Sequence, residues 1–372
     1  MKIVIASDSF KGSLSSTEVA DSLETGIRRI YPGAEILKLP VADGGEGTVD
    51  TLVTGLGGRL MTAEVVGPSG NLITSSFGVL PGGEAIIEMA AASGLTLVKD
   101  GKLDPMNTTT FGTGQLILKA LRMGCRRIYI GIGGSATNDG GVGMAQALGV
   151  SFKDLSGNEI VFGGGALKYL ETIDISGRTE LLDGAEVIIM SDVTNPLCGV
   201  KGASRVYGPQ KGADPEMVEM LDSNLLRYGE KIKETLGLDI IDMPGSGAAG
   251  GLGAGLVAFC NGRLERGIEM ILDLLQFESK LEGADLVITG EGRIDSQSAY
   301  GKVPSGVARR AMTQGVPVIA IAGGLGEGYE KLYETGVKLI LPVIDRPMTL
   351  EEAMKDAKRL VADTGERIAR MI

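Results

Sequence analysis

Short apolar segments alternate with helical patterns at both ends of the chain. The β-branched run at 2–7 (KIVIAS) predicts a buried strand, and apolar spacing over 17–30 predicts an amphipathic helix before a second strand at 35–41. From 285 the same alternation returns, with a closing helix from Thr349 and predicted strands at 285–289, 317–323 and 339–343. This order predicts a doubly wound α/β sheet.

The middle of the chain has a different pattern. Residues 62–80 (TAEVVGPSGNLITSSFGVL) predict two alternating strands around a Gly-Pro-Ser-Gly-Asn turn, which is typical of an antiparallel hairpin. A predicted helix at 113–123 and predicted strands at 127–132 and 186–191 follow. Because sequential strands tend to be neighbours in a sheet, we expect the first two strands of the chain to join the carboxyl-terminal ones.

These patterns predict two domains, which suits a chain of 372 residues. The first is a discontinuous α/β domain formed by 1–62 and 285–372, and the second is an inserted mixed α/β domain at 63–284. We expect the active site in the cleft between them, because glycine-rich segments follow predicted strands of both domains.

The composition narrows the possible chemistry. The chain contains no histidine, which excludes Ser-His-Asp triads, Cys-His pairs and zinc sites built on imidazole. Phosphoryl transfer is a common reaction that needs only positioning, charge stabilisation and magnesium, so it stays possible. Glycine supplies 58 residues, which is about twice the average share of about 7% and favours binding loops after strands.

The net charge and the distribution of apolar residues indicate which partners are disfavoured and where the protein is expected in the cell. The chain has 47 acidic and 36 basic residues, and its net charge of -11 disfavours nucleic acid and anionic membranes as partners. It opens on a strand rather than a signal peptide and has no apolar run near the roughly 20 residues of a membrane span, so we expect a cytoplasmic protein. Cys125, Cys198 and Cys260 are far apart and are expected to be buried free thiols. Oligomeric state has no sequence signal.

The segment after the first strand, 6–12 (ASDSFKG), carries a candidate anion site. Ser7, Asp8, Ser9 and Lys11 lie where backbone amides, hydroxyls and one ammonium group could hold a carboxylate or phosphate. The alternative is a helix-capping loop in which a later serine is the N-cap and the lysine is solvated.

The segment after the second strand, 41–48 (VADGGEGT), carries a candidate magnesium site. Asp43 and Glu46 stand three residues apart around two glycines, so both carboxylates can face one point. Magnesium takes one or two protein carboxylates together with substrate phosphates. The alternative is a turn whose aspartate caps the following helix.

The richest glycine segment is 131–143 (GIGGSATNDGGVG), which follows a predicted strand and opens a helix. Such a loop lets backbone amides approach phosphates closely, and the helix N-terminus favours anions. It is not a Walker A motif, and 300–306 (YGKVPSG) also lacks the required order. The predicted phosphate-binding residues are Gly133, Gly134, Ser135, Asn138, Asp139, Gly140 and Gly141.

Two further segments have competing interpretations. In 191–199 (SDVTNPLCG), Asp192 follows a strand and is a candidate base or metal ligand, although an Asx turn explains it equally well. The segment 244–255 (PGSGAAGGLGAG) contains a formal GxGxxG, but it lacks the preceding strand and the later acid of a dinucleotide site. A closely packed glycine and alanine helix, or a flexible phosphate loop, explains it better.

The segment 287–306 (VITGEGRIDSQSAYGKVPSG) gathers Glu291, Arg293, Asp295 and Lys302 after a buried strand and before a helix. Mixed charges on a glycine-rich loop at the carboxyl end of a strand are typical of an active site. The alternative is a surface network of ion pairs.

Together these segments resemble the class I glycerate kinase family. The blocks run in order from near residue 6 to near residue 323, and include ASDSFKGSLSS, LPVADGGEGT, GGSATNDGGVGMAQALG, DVTNPLCG, YGPQKGAD, GAAGGLGAGL and LVITGEGRIDSQSAYGKVPSGVA. The resemblance implies ATP-dependent phosphorylation of D-glycerate at the 2-hydroxyl, with Mg2+, in the metabolism of glycolate or sugar acids. It also implies a Rossmann-like domain and an inserted mixed domain.

The residue roles are hypotheses from the positions of the motifs. The glycine loop is predicted to hold nucleotide phosphates, and Asp43, Glu46 and Glu291 are the predicted Mg2+ ligands. The predicted substrate-binding residues are Ser7, Ser9, Lys11 and Arg293, the last two facing the glycerate carboxylate and the transferring group. Asp192 is the predicted base, with Asp8 and Asp295 as the other candidates.

Two other functions stay open at this stage. The GxGxxG segment would suit an NAD-dependent oxidoreductase of a hydroxy acid. A non-catalytic regulator that binds a metabolite would also use charged glycine loops.

Overall fold

The computed structural model describes residues 1–45 and 47–372, so the predicted magnesium ligand Glu46 lies outside the described residues. The chain divides into two compact units. The first unit contains Met1–Asp43, Asp50–Leu56 and Arg266–Ile372, and the second contains Gly44–Val49 and Gly57–Glu265. The sequence pattern places the limits of the insertion near 63 and 284 instead.

The strands of the described residues are β1 (Lys2–Ile5), β2 (Glu35–Lys38), β3 (Arg59–Val66), β4 (Leu72–Val79), β5 (Ala85–Glu88), β6 (Arg127–Gly131), β7 (Ser151–Lys153), β8 (Thr172–Asp174), β9 (Glu186–Met190), β10 (Arg263–Glu265), β11 (Leu286–Ile294), β12 (Val318–Leu325) and β13 (Val337–Pro342).

The α-helices are α1 (Ser16–Arg28), α2 (Thr48–Leu56), α3 (Ala90–Ser93), α4 (Phe111–Arg122), α5 (Val142–Ala147), α6 (Ala203–Tyr207), α7 (Pro215–Leu236), α8 (Ala248–Cys260), α9 (Gly267–Leu274), α10 (Phe277–Lys280), α11 (Val303–Thr313), α12 (Leu350–Lys355) and α13 (Ala357–Ala369). Short 3-10 helices lie at Leu95–Leu97, Lys99–Gly101, Gly164–Tyr169, Glu180–Leu182, Pro209–Lys211 and Tyr329–Thr335.

The first unit is built on a five-stranded parallel sheet in the order β13-β12-β11-β1-β2. Ile3 and Ile5 of β1 lie in an apolar core with α1 and α13, and Val4, on the opposite face, is also fully buried. A parallel sheet covered on both faces needs apolar residues at successive positions, which is why the run at 2–7 predicts this strand. Helix α1 begins with a capping box formed by Ser15 and Glu18.

The second unit is built on a six-stranded mixed sheet in the order β10-β9-β6-β5-β4-β3. Strands β3 and β4 form the predicted antiparallel hairpin, with Arg59 opposite Val79 and Val66 opposite Leu72. The pair β4-β5 is also antiparallel, and the pairs β5-β6, β6-β9 and β9-β10 are parallel. A separate two-stranded antiparallel sheet pairs β7 with β8.

The predicted α/β class is therefore confirmed, with an all-parallel sheet in one unit and a mixed sheet in the other. Cys125 and Cys260 are buried and Cys198 is partly buried, and all three are free thiols, as expected. Among the described residues, the structure contains no helix with the length and apolar character that a bilayer crossing requires.

Candidate active site

The first unit contains a pocket of about 820 Å³ where the carboxyl ends of β1, β11 and β12 meet. One side of the pocket is charged and is lined by Asp8, Lys11, Asp43, Glu291, Arg293 and Lys302. The other side is apolar and is lined by Leu325, Val343, Leu350, Ala353, Met354 and Ala357. Loops at this edge of a parallel sheet are the usual ligand site of α/β proteins.

Asp8 is fixed at the inner end of the charged side. Its backbone N–H donates to the carbonyl oxygen of Gly290 at 2.9 Å, and the Ser7 hydroxyl donates to the same oxygen at 3.1 Å. The Ser9 N–H donates to the Asp8 carboxylate at 2.7 Å. Burial, and then the nearby charge of Asp43, raise the pKa of Asp8 to about 7. The carboxyl group is therefore poised to exchange a proton near neutral pH.

Ser7, Ser9 and Lys11 lie together on the loop after β1. Ser7 is buried, with 1% of its surface exposed, and its hydroxyl donates to backbone carbonyl oxygens. It therefore stabilises the loop. Ser9 and the exposed Lys11 line the pocket, where a ligand can reach them. The following helix, α1, is capped by Ser15, so capping does not occupy Ser7, Ser9 or Lys11.

Glu291 and Lys302 form the second charged pair of the pocket. The Lys302 ammonium lies 3.3 Å from Oε2 of Glu291. Burial raises the pKa of Glu291, and the positive charge of Lys302 opposes that shift. The Oε1 atom of Glu291 is buried and has no hydrogen-bond partner of normal geometry among the described residues, although the nearby Ser298 side chain helps to lower the pKa of Glu291.

Glu291 and Arg293 lie on a strand rather than in the loop that the sequence predicts. Strand β11 continues to Ile294 and pairs Glu291 with Ala322 and Arg293 with Gly324 of β12. The side chain of Arg293 is 74% exposed, and its Nε lies 3.8 Å from Asp295. The carboxylate of Asp295 accepts the N–H of Gln297 at 2.9 Å, and Asp295 is absent from the described lining of the pocket. Asp295 therefore shapes a turn.

In the second unit, the parallel strands end side by side. Glu88 of β5, Gly131 of β6 and Met190 of β9 are register neighbours. The segment Gly44–Gly45 lies across this edge: a Cβ on Gly131 would stand 2.1 Å from the carbonyl oxygen of Gly44. The predicted magnesium segment and the predicted phosphate loop thus meet in this unit through their glycines.

The glycine loop after β6 has an exposed part and a buried part. Gly133 and Gly134 are exposed, so their backbone can approach a ligand. The other predicted phosphate-binding residues, Ser135, Asn138, Asp139, Gly140 and Gly141, are buried in the second unit.

The buried part of the loop is held by its own unit. The Asp139 carboxylate accepts hydrogen bonds from the N–H and hydroxyl of Thr110, at 2.9 Å each, and from backbone N–H groups of the loop. Burial raises the pKa of Asp139, and these donors oppose that shift. The hydroxyl of Tyr228 donates to the Gly140 carbonyl at 2.8 Å. These bonds fix the shape of the loop behind Gly133 and Gly134.

Lys211 is the most unusual contact to this loop. Its side chain is 1% exposed, and its ammonium group donates to the Thr137 carbonyl at 2.6 Å. Burial lowers the pKa of Lys211 to about 7, and the charge of Asp139 opposes that shift. This lysine lies in the segment YGPQKGAD, and its burial has no local sequence signal, so the sequence predicts no role for it.

Asp192 follows the carboxyl end of β9 in the second unit and is partly buried. Asn195, the other polar residue of this segment, is structural: its amide donates to the Lys201 carbonyl at 2.7 Å, and it accepts the hydroxyl of Tyr207 at 2.9 Å. Asp192 thus lies two residues after the end of β9, and the carboxyl end of a parallel strand is a common position for a catalytic carboxylate.

The GxGxxG segment packs inside the second unit. It leads into α8, where residues 249–251 have positive φ and Gly250 lies against the backbone of Thr137, since a Cβ there would stand 2.0 Å from its carbonyl oxygen. Gly255 similarly lies against Gly140. The packing interpretation of this segment is confirmed, and no strand of the described residues leads directly into it as a dinucleotide site requires.

No group of three or more described Asp, Glu, Cys or His residues is arranged to hold a metal ion by itself. The donors that remain are the pocket carboxylates, including the unpartnered Glu291 Oε1. Such a set fits magnesium, which usually completes its coordination with water and substrate phosphates.

The apolar side of the pocket was not predicted. Its residues come from the end of β12, from Val343 just after β13, and from α12 and α13. The carboxyl-end rule for parallel strands could have indicated the segment after β13, because β13 joins the same sheet.

Comparison with known proteins places the chain in a family. The model of the glycerate kinase family matches residues 3–372. Glycerate 2-kinase from Escherichia coli (strain K12) is 50% identical over 370 residues, covering 99% of this chain and 97% of that protein. Glycerate kinase from Bacillus subtilis (strain 168) is 48% identical over 373 residues, covering 100% and 98%.

A solved structure agrees with these relatives. A crystal structure from Salmonella typhimurium LT2, described as glycerate kinase 2, is 51% identical in sequence and matches with a TM-score of 0.89. The match covers 100% of this chain and 98% of that chain. The match extends over both units. The chain belongs to the glycerate kinase family.

Proposed function

We propose that the chain transfers the γ-phosphoryl group of ATP to the 2-hydroxyl of D-glycerate and forms 2-phosphoglycerate, in the catabolism of glycolate or sugar acids. A glycerate kinase has ATP and glycerate as its substrates. The choice of the 2-hydroxyl draws on the Escherichia coli relative, which is named glycerate 2-kinase.

The observation that carries the proposal is the charged side of the first-unit pocket. Lys11, Arg293 and Lys302 supply three cationic side chains beside the carboxylates of Asp8, Asp43 and Glu291. A phosphoryl transfer site needs cations for the transferring group and carboxylates for a metal ion and a proton. We assign Lys11 and Arg293 to the glycerate carboxylate and the transferring group, with Ser9 beside them.

Magnesium is assigned to the carboxylates of Asp43, Glu46 and Glu291. When bound, it would neutralise charge that develops between the β- and γ-phosphates. Glu291 contributes a buried oxygen without a hydrogen-bond partner in the described part of the chain. The ammonium of Lys302, 3.3 Å from Oε2, keeps the other oxygen oriented.

Asp192 is the proposed base, and Asp8 is the second candidate. Asp8 lies in the pocket with Lys11 and Arg293, and its carboxylate is oriented by the Ser9 N–H. The base removes the proton of the glycerate hydroxyl as the oxygen attacks phosphorus. Asp295 is a weaker candidate because its carboxylate accepts a turn amide.

The two candidates are separated by isosteric variants. The variant that removes the base should lower kcat by about 100-fold or more while glycerate and ADP still bind. If Asp192→Asn retains near-normal turnover, Asp192 is not the base. The same result for Asp8→Asn would remove Asp8 from that role.

The glycine loop is proposed to contact nucleotide phosphates through Gly133 and Gly134. Its buried residues, from Ser135 to Gly141, support this role by fixing the loop rather than by touching the nucleotide. Backbone amides on a rigid loop bind phosphate without paying for reorganisation.

The activity is tested by coupled measurement of ADP release. Purified protein with ATP, Mg2+ and D-glycerate should release ADP, and omission of the acceptor should lower the rate to the background of ATP hydrolysis. L-glycerate and NAD serve as controls for stereochemistry and for oxidoreductase activity. If ADP release does not depend on D-glycerate, the proposal is wrong.

A further inference from the structure

The pocket of the first unit is larger than its charged side requires. Its volume of about 820 Å³ lies within the range of about 300–1,000 Å³ that is typical of sites for much larger ligands than a three-carbon acid. Glycerate has no apolar group that would cover the apolar side. The pocket therefore has room for a second, partly apolar group.

The apolar side is a prearranged wall rather than a chance patch. Leu350, Ala353 and Met354 share one face of α12, because residues three and four apart in a helix are neighbours. Val343 and Ala357 close the floor and are 3% and 5% exposed. Leu350 is 77% exposed and lines the pocket, so its side chain is accessible to a ligand there.

This wall is tied to the loop that carries Lys11. Thr349 and Glu352 form a capping box at the start of α12. The Ser13 hydroxyl donates to the Met354 carbonyl at 3.2 Å, and a Cβ on Gly12 would stand 3.2 Å from the Met354 methyl group. The helix that carries the apolar wall therefore packs directly against the loop that carries Lys11.

We propose that the apolar side of this pocket binds the purine base of the nucleotide. A purine has flat apolar faces, which aliphatic side chains and the adaptable methionine side chain can cover. The triphosphate extends from the base towards cationic groups, and the same pocket is also lined by Lys11, Arg293 and Lys302. The γ-phosphoryl group then lies at the charged end, where the acceptor hydroxyl must be within reach.

The inference rests on the proposed function in one respect, since it takes the nucleotide as the ligand with a base. It adds the location of that base. It also assigns a specificity role to Leu350 and Met354 of α12, for which the sequence predicts no role in binding.

The test compares a ligand with the base and one without it. ADP and inorganic pyrophosphate are titrated calorimetrically into the wild type and into Leu350→Ala and Met354→Ala. Each truncation should weaken ADP binding about fivefold and the double variant about 20-fold, because apolar contact with the base is lost. Pyrophosphate binding and the KM for D-glycerate should stay unchanged.

Matched controls are Leu155→Ala and Met312→Ala, which truncate exposed residues of the same types, 86% and 56% exposed, outside the pocket. They should bind ADP as the wild type does. The inference is wrong if the pocket variants bind ADP normally, or if the wild type binds ADP no more tightly than pyrophosphate. It is also wrong if the truncations raise the KM for D-glycerate and leave ADP binding unchanged.

ADP binding is measured without turnover, so the proposed function and the proposed location of the base can be refuted independently of each other. Absence of D-glycerate-dependent ADP release would refute the proposed function even if ADP binding depends on the wall. Normal activity with unchanged ADP binding in the variants would refute only the location of the base.

Discussion

Replacement of the buried Lys211 by methionine should stabilise the protein at neutral pH. The unfolded chain protonates this lysine below its ordinary pKa of 10.5, whereas burial lowers the pKa in the folded protein to about 7. The free energy of unfolding therefore decreases as the pH falls from 10.5 to about 7, and this loss of stability is complete below pH 7. At about 1.4 kcal/mol per pKa unit, it reaches about 5 kcal/mol.

The methionine variant removes this penalty but also loses a hydrogen bond. The ammonium group donates to the Thr137 carbonyl at 2.6 Å, and leaving that buried oxygen unpaired costs about 1–3 kcal/mol. The net expectation at pH 7 is stabilisation by about 2–4 kcal/mol. At pH 10 the penalty has fallen to about 1 kcal/mol, so Lys211→Met should be no more stable than the wild type.

Urea unfolding at pH 7 and pH 10, followed by circular dichroism, measures this difference in the free energy of unfolding. The exposed Lys338 provides the control, since Lys338→Met should change stability little at either pH. A Lys211→Met variant that is destabilised at pH 7, or whose effect is the same at both pH values, would show that burial of this charge does not oppose folding.

Three other substitutions test the site and its support. Lys11→Met should raise the KM for D-glycerate about 10-fold or more in steady-state kinetics, with an unchanged melting temperature because Lys11 is exposed; an unchanged KM rejects its assignment. Glu291→Gln should increase the Mg2+ concentration needed for half-maximal rate, and an unchanged Mg2+ dependence removes it as a ligand. Gly131→Ala should lower stability by about 2 kcal/mol or more in thermal unfolding, because its Cβ would stand 2.1 Å from the Gly44 carbonyl oxygen. Gly33→Ala, where nothing lies within 4 Å, should leave stability nearly unchanged.

The strands were predictable where apolar β-branched residues run continuously. Strand β1 and the β3–β4 hairpin lie where the pattern places them, since buried parallel strands and half-buried hairpins leave clear signals. The end of β11 was predicted as a loop because it contains Gly290 and Gly292. Those glycines continue the strand beside β12, where Gly323 lies against the Gly292 backbone.

The position of the site was predictable in part. The carboxyl-end rule points to Asp8, Asp43, Glu291 and Arg293, and the pocket of the first unit contains all four. The apolar wall left no distinct signal, because Leu350 in sequence is typical of an ordinary amphipathic helix.

Glycine-rich segments are ambiguous for a physical reason. A glycine is required both where a ligand approaches the backbone and where another part of the chain does. Gly133 and Gly134 are exposed but also lie against Gly45 and Ala90, whereas Gly140 is buried against the Tyr228 ring. Sequence alone does not separate these two uses.

The most direct test of the account is the identity of the phosphorylated product. Phosphorus NMR of the product from ATP and D-glycerate distinguishes the two hydroxyls by their attached protons. Transfer to the 2-hydroxyl should give a resonance split by the single C2 proton, as in 2-phosphoglycerate. A resonance split by the two C3 protons, or no new phosphomonoester signal, would contradict it.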